Sequence, residues 1–126
     1  MACPYFDPGE RTPGLSGSLG DLYSGQCRLG NGQPDEQTVA DRCNLGYARG
    51  WCPRFPPNGG ADAVRFCVSK DDNVVIRILY SLERDHRPFS SGALEFELAS
   101  GTFAAAPESI ERLARAYVRS YLRRTR

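Results

Sequence analysis

The 126-residue chain has one histidine, one tryptophan, one methionine and one lysine, and no run approaching the ~20 apolar residues that cross a bilayer. Lacking such a run, it is expected to have no membrane-spanning helix. Met1-Ala2-Cys3-Pro4-Tyr5 carries neither the basic region nor the apolar core of an export signal, so a cytoplasmic location is expected. Charge of one sign is also missing. Sixteen basic against fifteen acidic residues leave a net charge of +1, and no general field marks the chain as a nucleic-acid binder. There is no Gly-x-Ser-x-Gly elbow and no His-Glu-x-x-His, and Gly14, Gly17 and Gly20 neither follow a strand nor open a helix, which removes a phosphate cradle. With a single histidine, any nucleophile arrangement must use His86. The length allows one domain.

What is abundant is unevenly distributed. Residues 1–60 hold eleven of thirteen glycines, seven of nine prolines and four of five cysteines. Such a segment has high unfolded-state entropy and little apolar surface with which to offset it, so something must staple it. The expected organisation is a Cys-rich, metal-binding loop lobe over 1–60 and a βββα platform over 61–126, together one compact unit. Within the loops one short helix is predicted over about 34–45. Pro34 suits a first turn, Asp35 and Glu36 suit the helix dipole, and Val39, Ala40 and Cys43 share a face; Gly46 ends it.

The second half shows two periodicities. Residues 63–69, 73–81 and 93–99 alternate apolar and polar side chains, predicting three strands, with Val64, Phe66 and Val68 on one face of the first. From Pro107 to about Arg124, Ile110, Leu113, Ala114, Tyr117, Val118 and Tyr121 recur at helical spacing. The fold expected is therefore α+β: a three-stranded antiparallel meander with the amphipathic helix on one face and the loop lobe on the other.

Cys3, Cys27, Cys43 and Cys52 are separated by twenty-three, fifteen and eight intervening residues, all in the half that cannot fold by apolar burial. In a cytoplasmic chain such a group points to metal or redox chemistry rather than disulfides. Four thiolates complete the ligand set of a [4Fe–4S] or [2Fe–2S] cluster and equally of tetrahedral zinc. No two are close enough for a thioredoxin motif or for the paired ligands of a zinc ribbon. Cys3-Pro4 and Cys52-Pro53 each resemble the Cys-Pro dipeptide of the bacterial ferredoxin run, a likeness of two residues. Arg28, Arg42 and Arg54 stand within two residues of cysteines and would offset the charge of an anionic cluster. An iron–sulfur cluster, [4Fe–4S] first, is the leading reading, serving electron transfer, sensing or structure with a redox or protein partner; structural zinc is the alternative.

The remaining candidates are weighed against plainer roles. Cys67 lies in a strand and is expected to pack under the N-terminal lobe, or to replace Cys3 as a ligand. His86, beside Glu83 and Asp85, could be a ligand in a site of three cysteines and one histidine, or a general acid in an enzyme reading in which the cysteines are scaffold, though a solvated loop histidine is the commoner case. Arg112, Arg115, Arg119 and Arg123 form a stripe on the C-terminal helix that could track nucleic-acid phosphates in the zinc-module alternative, or simply be solvated.

Overall fold

The computed structural model of the chain describes residues 2–12, 19–29, 38–50, 52–56 and 60–126. The N-terminal half contributes strands β1 (Phe6–Thr12) and β2 (Leu22–Cys27), which pair antiparallel, followed by a wide helical turn, Val39–Cys43, and a short helical turn, Ala48–Gly50. The second half forms β3 (Ala63–Asp71), β4 (Val75–Arg84), β5 (Arg87–Glu97), β6 (Thr102–Phe103) and helix α1 (Glu108–Thr125).

The sheet has four antiparallel strands in the order β3-β4-β5-β6, which corrects the expected three. β6 is two residues long, too short to show a period. It is held by backbone pairing of Phe103 with Phe96 and by an edge contact of the two rings, whose centroids are 5.1 Å apart. A second correction concerns residues 82–92, which lie between the predicted strands 73–81 and 93–99. Here β4 and β5 continue to a two-residue turn, Asp85-His86, both at positive φ as a tight hairpin requires. The register slips between Leu82 and Glu83, and this bulge takes up Pro88 opposite Glu83. Residues 87–91 are exposed on both faces, so this end of the hairpin carries no alternation to read.

The N-terminal half is not a lobe of loops alone. β1 tolerates Pro8 and Gly9 because its register shifts between Pro8 and Arg11. The chains approach closely at Gly25, where a Cβ would run into the Asp7 carbonyl and stand 2.8 Å from Phe6 Cε1. Of the helix predicted over 34–45, Pro34, Asp35 and Glu36 lie outside the described residues; Val39 and Cys43 lie in the helical turn and are buried.

One core serves both halves. Val64, Ile76, Ile78, Leu94 and Phe96 point inward from the sheet against Ile110, Leu113, Ala114 and Val118, and Phe6, Leu19 and Tyr23 join the same cluster. α1 is buried on two sides. Its Tyr117 ring meets Phe66 of the sheet at 5.5 Å, while on the hairpin side Tyr23 donates its hydroxyl to the Ala116 carbonyl at 2.9 Å and lies 2.6 Å from Ser120 Oγ. The hairpin thus packs on the helix, and on the outer face of the sheet Cys67 and Leu79 are exposed. No helix among the described residues is long and apolar enough to cross a membrane.

Candidate metal centre

Each of the four N-terminal cysteines is placed by a different local device. Cys3 follows a backbone bridge between Ala2 and Val64 and donates its N–H to the Cys43 carbonyl at 3.0 Å, so the first residues of the chain run beside the helical turn. Cys27 is the last residue of β2, opposite Phe6. Cys43 ends the helical turn, which stops because Gly46 turns to φ +84°; a Cβ there would come 3.0–3.1 Å from Ala63 and Ala2. Cys52 donates to the Ala48 carbonyl and its own carbonyl accepts from Phe55, a tight turn containing Pro53.

These four segments bring Cys3, Cys27, Cys43 and Cys52 to the wall of one cavity of about 440 Å³. The rest of its lining is mainly apolar, with Phe6, Leu29, Ala48 and Pro53, plus two cations, Arg42 and Arg54. No carboxylate lines it among the described residues. Cys3 and Cys43 are buried, Cys27 and Cys52 half-buried. Burial pushes the Cys3 thiol up to about 12; a backbone hydrogen bond from Tyr5 opposes this, and the other three sulfurs add to the rise. Burial likewise pushes Cys43 up to about 11, with Cys27 and Cys52 raising it and Arg54 lowering it. The four sulfurs are near enough to feel each other's charge, and without a bound group the two buried ones are neutral thiols at pH 7. The Leu29 N–H donates to Cys27 Sγ at 3.4 Å.

Thiolates tetrahedrally placed around one zinc at about 2.3 Å stand about 3.8 Å apart. Among the described residues no three His, Cys, Asp or Glu side chains are grouped so as to hold a metal ion. The four cysteines share the cavity wall.

Two side chains beside the cysteines, Asn44 and Arg28, hold this arrangement. Asn44, fully buried, accepts from Tyr23 N–H at 3.1 Å and donates to the Tyr23 and Val39 carbonyls at 2.8 and 2.7 Å, tying the helical turn to β2. Arg28 donates to the carbonyls of Pro4 and Ser109, tying the residue after Cys27 to both the N-terminal segment and α1. An Asn after a cysteine carries no recognisable pattern in one sequence, while Arg28, expected to offset cluster charge, holds these carbonyls and is not among the cavity residues.

The other candidates lie elsewhere. Cys67 is exposed on the outer face of the sheet, away from the N-terminal lobe, which corrects its expected burial. Its position in β3 follows the parity of Arg65, which is exposed as well. His86 is not among the cavity residues; its ring stacks on Tyr47 with centroids 3.9 Å apart. Glu83 is engaged by the Tyr47 hydroxyl and by Arg65 Nε at 2.9 Å, so His86 does not hold it as a catalytic partner. The arginine stripe faces intramolecular partners: Arg112 reaches Asp7 at 3.4 Å, Arg115 donates to the Gly101 carbonyl at 2.9 Å, Arg119 sits 6.0 Å above the Tyr23 ring and Arg123 pairs with Asp21. No protein-family model matches the chain, and no curated protein or solved structure matches it either, so the site is read from its own geometry.

Proposed function

We propose that this chain is a small iron–sulfur protein in which Cys3, Cys27, Cys43 and Cys52 ligate one [4Fe–4S] cluster that joins the N-terminal segments and exchanges electrons with a redox partner. The observation that carries the reading is the single cavity of about 440 Å³ lined by all four cysteines. Four thiolates complete the ligand set of a [4Fe–4S] cluster. When bound, the cluster supplies one-electron chemistry.

The protein's own residues have separable parts in this. Phe6, Leu29, Ala48 and Pro53 keep water from the site, and the Leu29 N–H, directed at Cys27 Sγ, stabilises negative charge on that sulfur. The high thiol values of Cys3 and Cys43 mean that protons leave as the cluster is assembled. A cytoplasmic location, where thiols remain reduced, accords with five unpaired cysteines.

The test is anaerobic purification of the full chain with iron, sulfide and zinc analysis. The expected result is brown protein with about four irons and four sulfides per chain, with loss of colour in Cys27→Ser and Cys43→Ser. Colourless protein with stoichiometric zinc, or no metal at all, would overturn the proposal.

A further inference from the structure

We infer that the tip of the β4-β5 hairpin binds single-stranded nucleic acid, with Arg84 and Arg87 on its phosphates and the Phe89 ring against a base. The surface is separate from the cysteine cavity and owes nothing to the cluster reading. The turn Asp85-His86 is flanked by Arg84 and Arg87, which stand directly opposite each other across the two strands. Like charges at opposed positions destabilise a hairpin, and an anion bound by both guanidinium groups would relieve that repulsion. The partners Arg84 has within the chain carry no charge: its Nε donates to the Gly60 carbonyl at 3.1 Å, and its guanidinium carbon lies 4.8 Å from the centre of the Phe89 ring. Among the described residues neither Arg84 nor Arg87 forms an ion pair. The neighbouring carboxylates are engaged elsewhere, Glu83 by Arg65, and Asp85 together with buried Asp62 by Arg49, and the tip stays positive when these pairs are counted.

Phe89 is 51% exposed, and beside it on β5 Ser90 and Ser91 are exposed and polar. A half-exposed ring carrying a guanidinium, next to a second cation, combines the two contacts by which proteins hold unpaired strands: stacking on a base and pairing with phosphate. Bases of a duplex are already stacked on one another, which favours a single strand. The tip is also held in place. The Asp85 N–H donates to Asp62 Oδ2 at 3.4 Å and His86 stacks on Tyr47 at 3.9 Å, so little ordering is needed on binding. The residues that lead the hairpin, Asp85 and His86, are polar, and Phe89 lies behind them, which suits a chain laid across the hairpin better than a bilayer entered tip first.

The experiment is fluorescence anisotropy of a labelled oligo-dT of about fifteen nucleotides titrated with the full chain, at salt from about 50 to about 250 mM. With two phosphate contacts the affinity should fall about tenfold over that range, and Arg84→Gln or Arg87→Gln should each roughly halve the logarithmic salt slope. Phe89→Leu keeps the apolar bulk without the flat ring and should weaken binding at least about fivefold with the slope unchanged, while Phe89→Tyr binds as the parent. Asp85→Asn, at a φ of 51° that asparagine tolerates, should tighten binding by removing a nearby anion. Arg112→Gln, on α1, should bind as the parent. Circular dichroism checks the fold of each variant, and should Arg84→Gln disturb the tip, Arg87→Gln decides the slope. No saturable binding by the parent, loss in Arg112→Gln equal to that in Arg87→Gln, or full affinity in Phe89→Leu would overturn the inference. Tighter binding to a duplex of the same length, to polyglutamate, or to vesicles of phosphatidylcholine and phosphatidylserine would overturn it as well. Protein free of iron should bind equally, so failure of the cluster reading leaves this one standing.

Discussion

Alkaline titration of the metal-free protein puts the burial of the sulfurs to a direct thermodynamic test. Cys3 is only 7% exposed, and its thiol is raised from the ordinary 9.0 to about 12 in the folded chain. Because the folded form holds this proton more tightly than the unfolded form, the associated stability is complete below pH 9 and is lost as pH rises through about 12. At about 1.4 kcal/mol per pH unit, the whole interval is worth about 4 kcal/mol as an upper bound, most of which should be gone by pH 11. Cys43, raised to about 11, adds in the same sense over a shorter interval. The assay is urea unfolding under reductant from pH 7 to 11 for the apo-protein and for Cys3→Ala. The difference in unfolding free energy between them should be flat to pH 9 and then shrink with pH. Parallel curves throughout would show that Cys3 ionises freely in the folded chain and would refute the burial argument. Metal-loaded protein should lose this slope, because its thiolates have already released their protons.

Tyr23→Phe removes a hydroxyl that donates to Ala116 O and lies 2.6 Å from buried Ser120 Oγ, and should cost about 1–3 kcal/mol in chemical denaturation; a midpoint unchanged from the parent would contradict the packing of hairpin on helix. Leu113→Ala, at 1% exposure in the shared core, should cost about 2–5 kcal/mol, read by thermal unfolding. Acid should release the hairpin from α1. Burial works to raise the Asp21 carboxyl, but hydrogen bonds from Ser120 and Arg123 and the Arg123 charge outweigh it and hold it below its ordinary 3.8. The stability this confers is complete above 3.8 and is lost as pH falls through the lower folded value, so Asp21→Asn should flatten the acid limb of the melting curve. Gly25→Ala should disorder the β1-β2 pairing, where no space for a Cβ exists, and lower iron retention through Cys27; retention at the parent level would argue against the close approach.

The elements best read from sequence are those whose burial is one-sided and regular. Val64, Ile76, Ile78 and Leu94 alternate with exposed partners, and α1 repeats apolar residues at three and four, so strand and helix could be placed within a few residues. Where the pattern fails, the physical reason is visible. Residues 87–91 are exposed on both faces and carry a bulge, β6 is two residues long, and β1 contains Pro8 and Gly9. Ala116 and Ser120 lie off the apolar stripe, yet both are buried because the hairpin covers a second side of α1. A small residue and a hydroxyl give no periodic signal.

The sequence by itself determined that the first sixty residues are rich in glycine and proline, that they hold four of the five cysteines, and that the second half contains alternating strands and an amphipathic helix. These are local properties, set by side-chain size, polarity and backbone entropy at neighbouring positions. Only the tertiary structure decided that Cys3 hydrogen-bonds beside Cys43, that four sulfurs from distant segments border one cavity with Arg42 and Arg54, and that Cys67 stays in water. Those outcomes depend on contacts such as Asn44 with Tyr23 and Tyr23 with Ser120, across twenty-one and ninety-seven positions of chain. Such contacts form because burying and pairing these groups together lowers the free energy of the whole fold, a condition that no local stretch of residues contains.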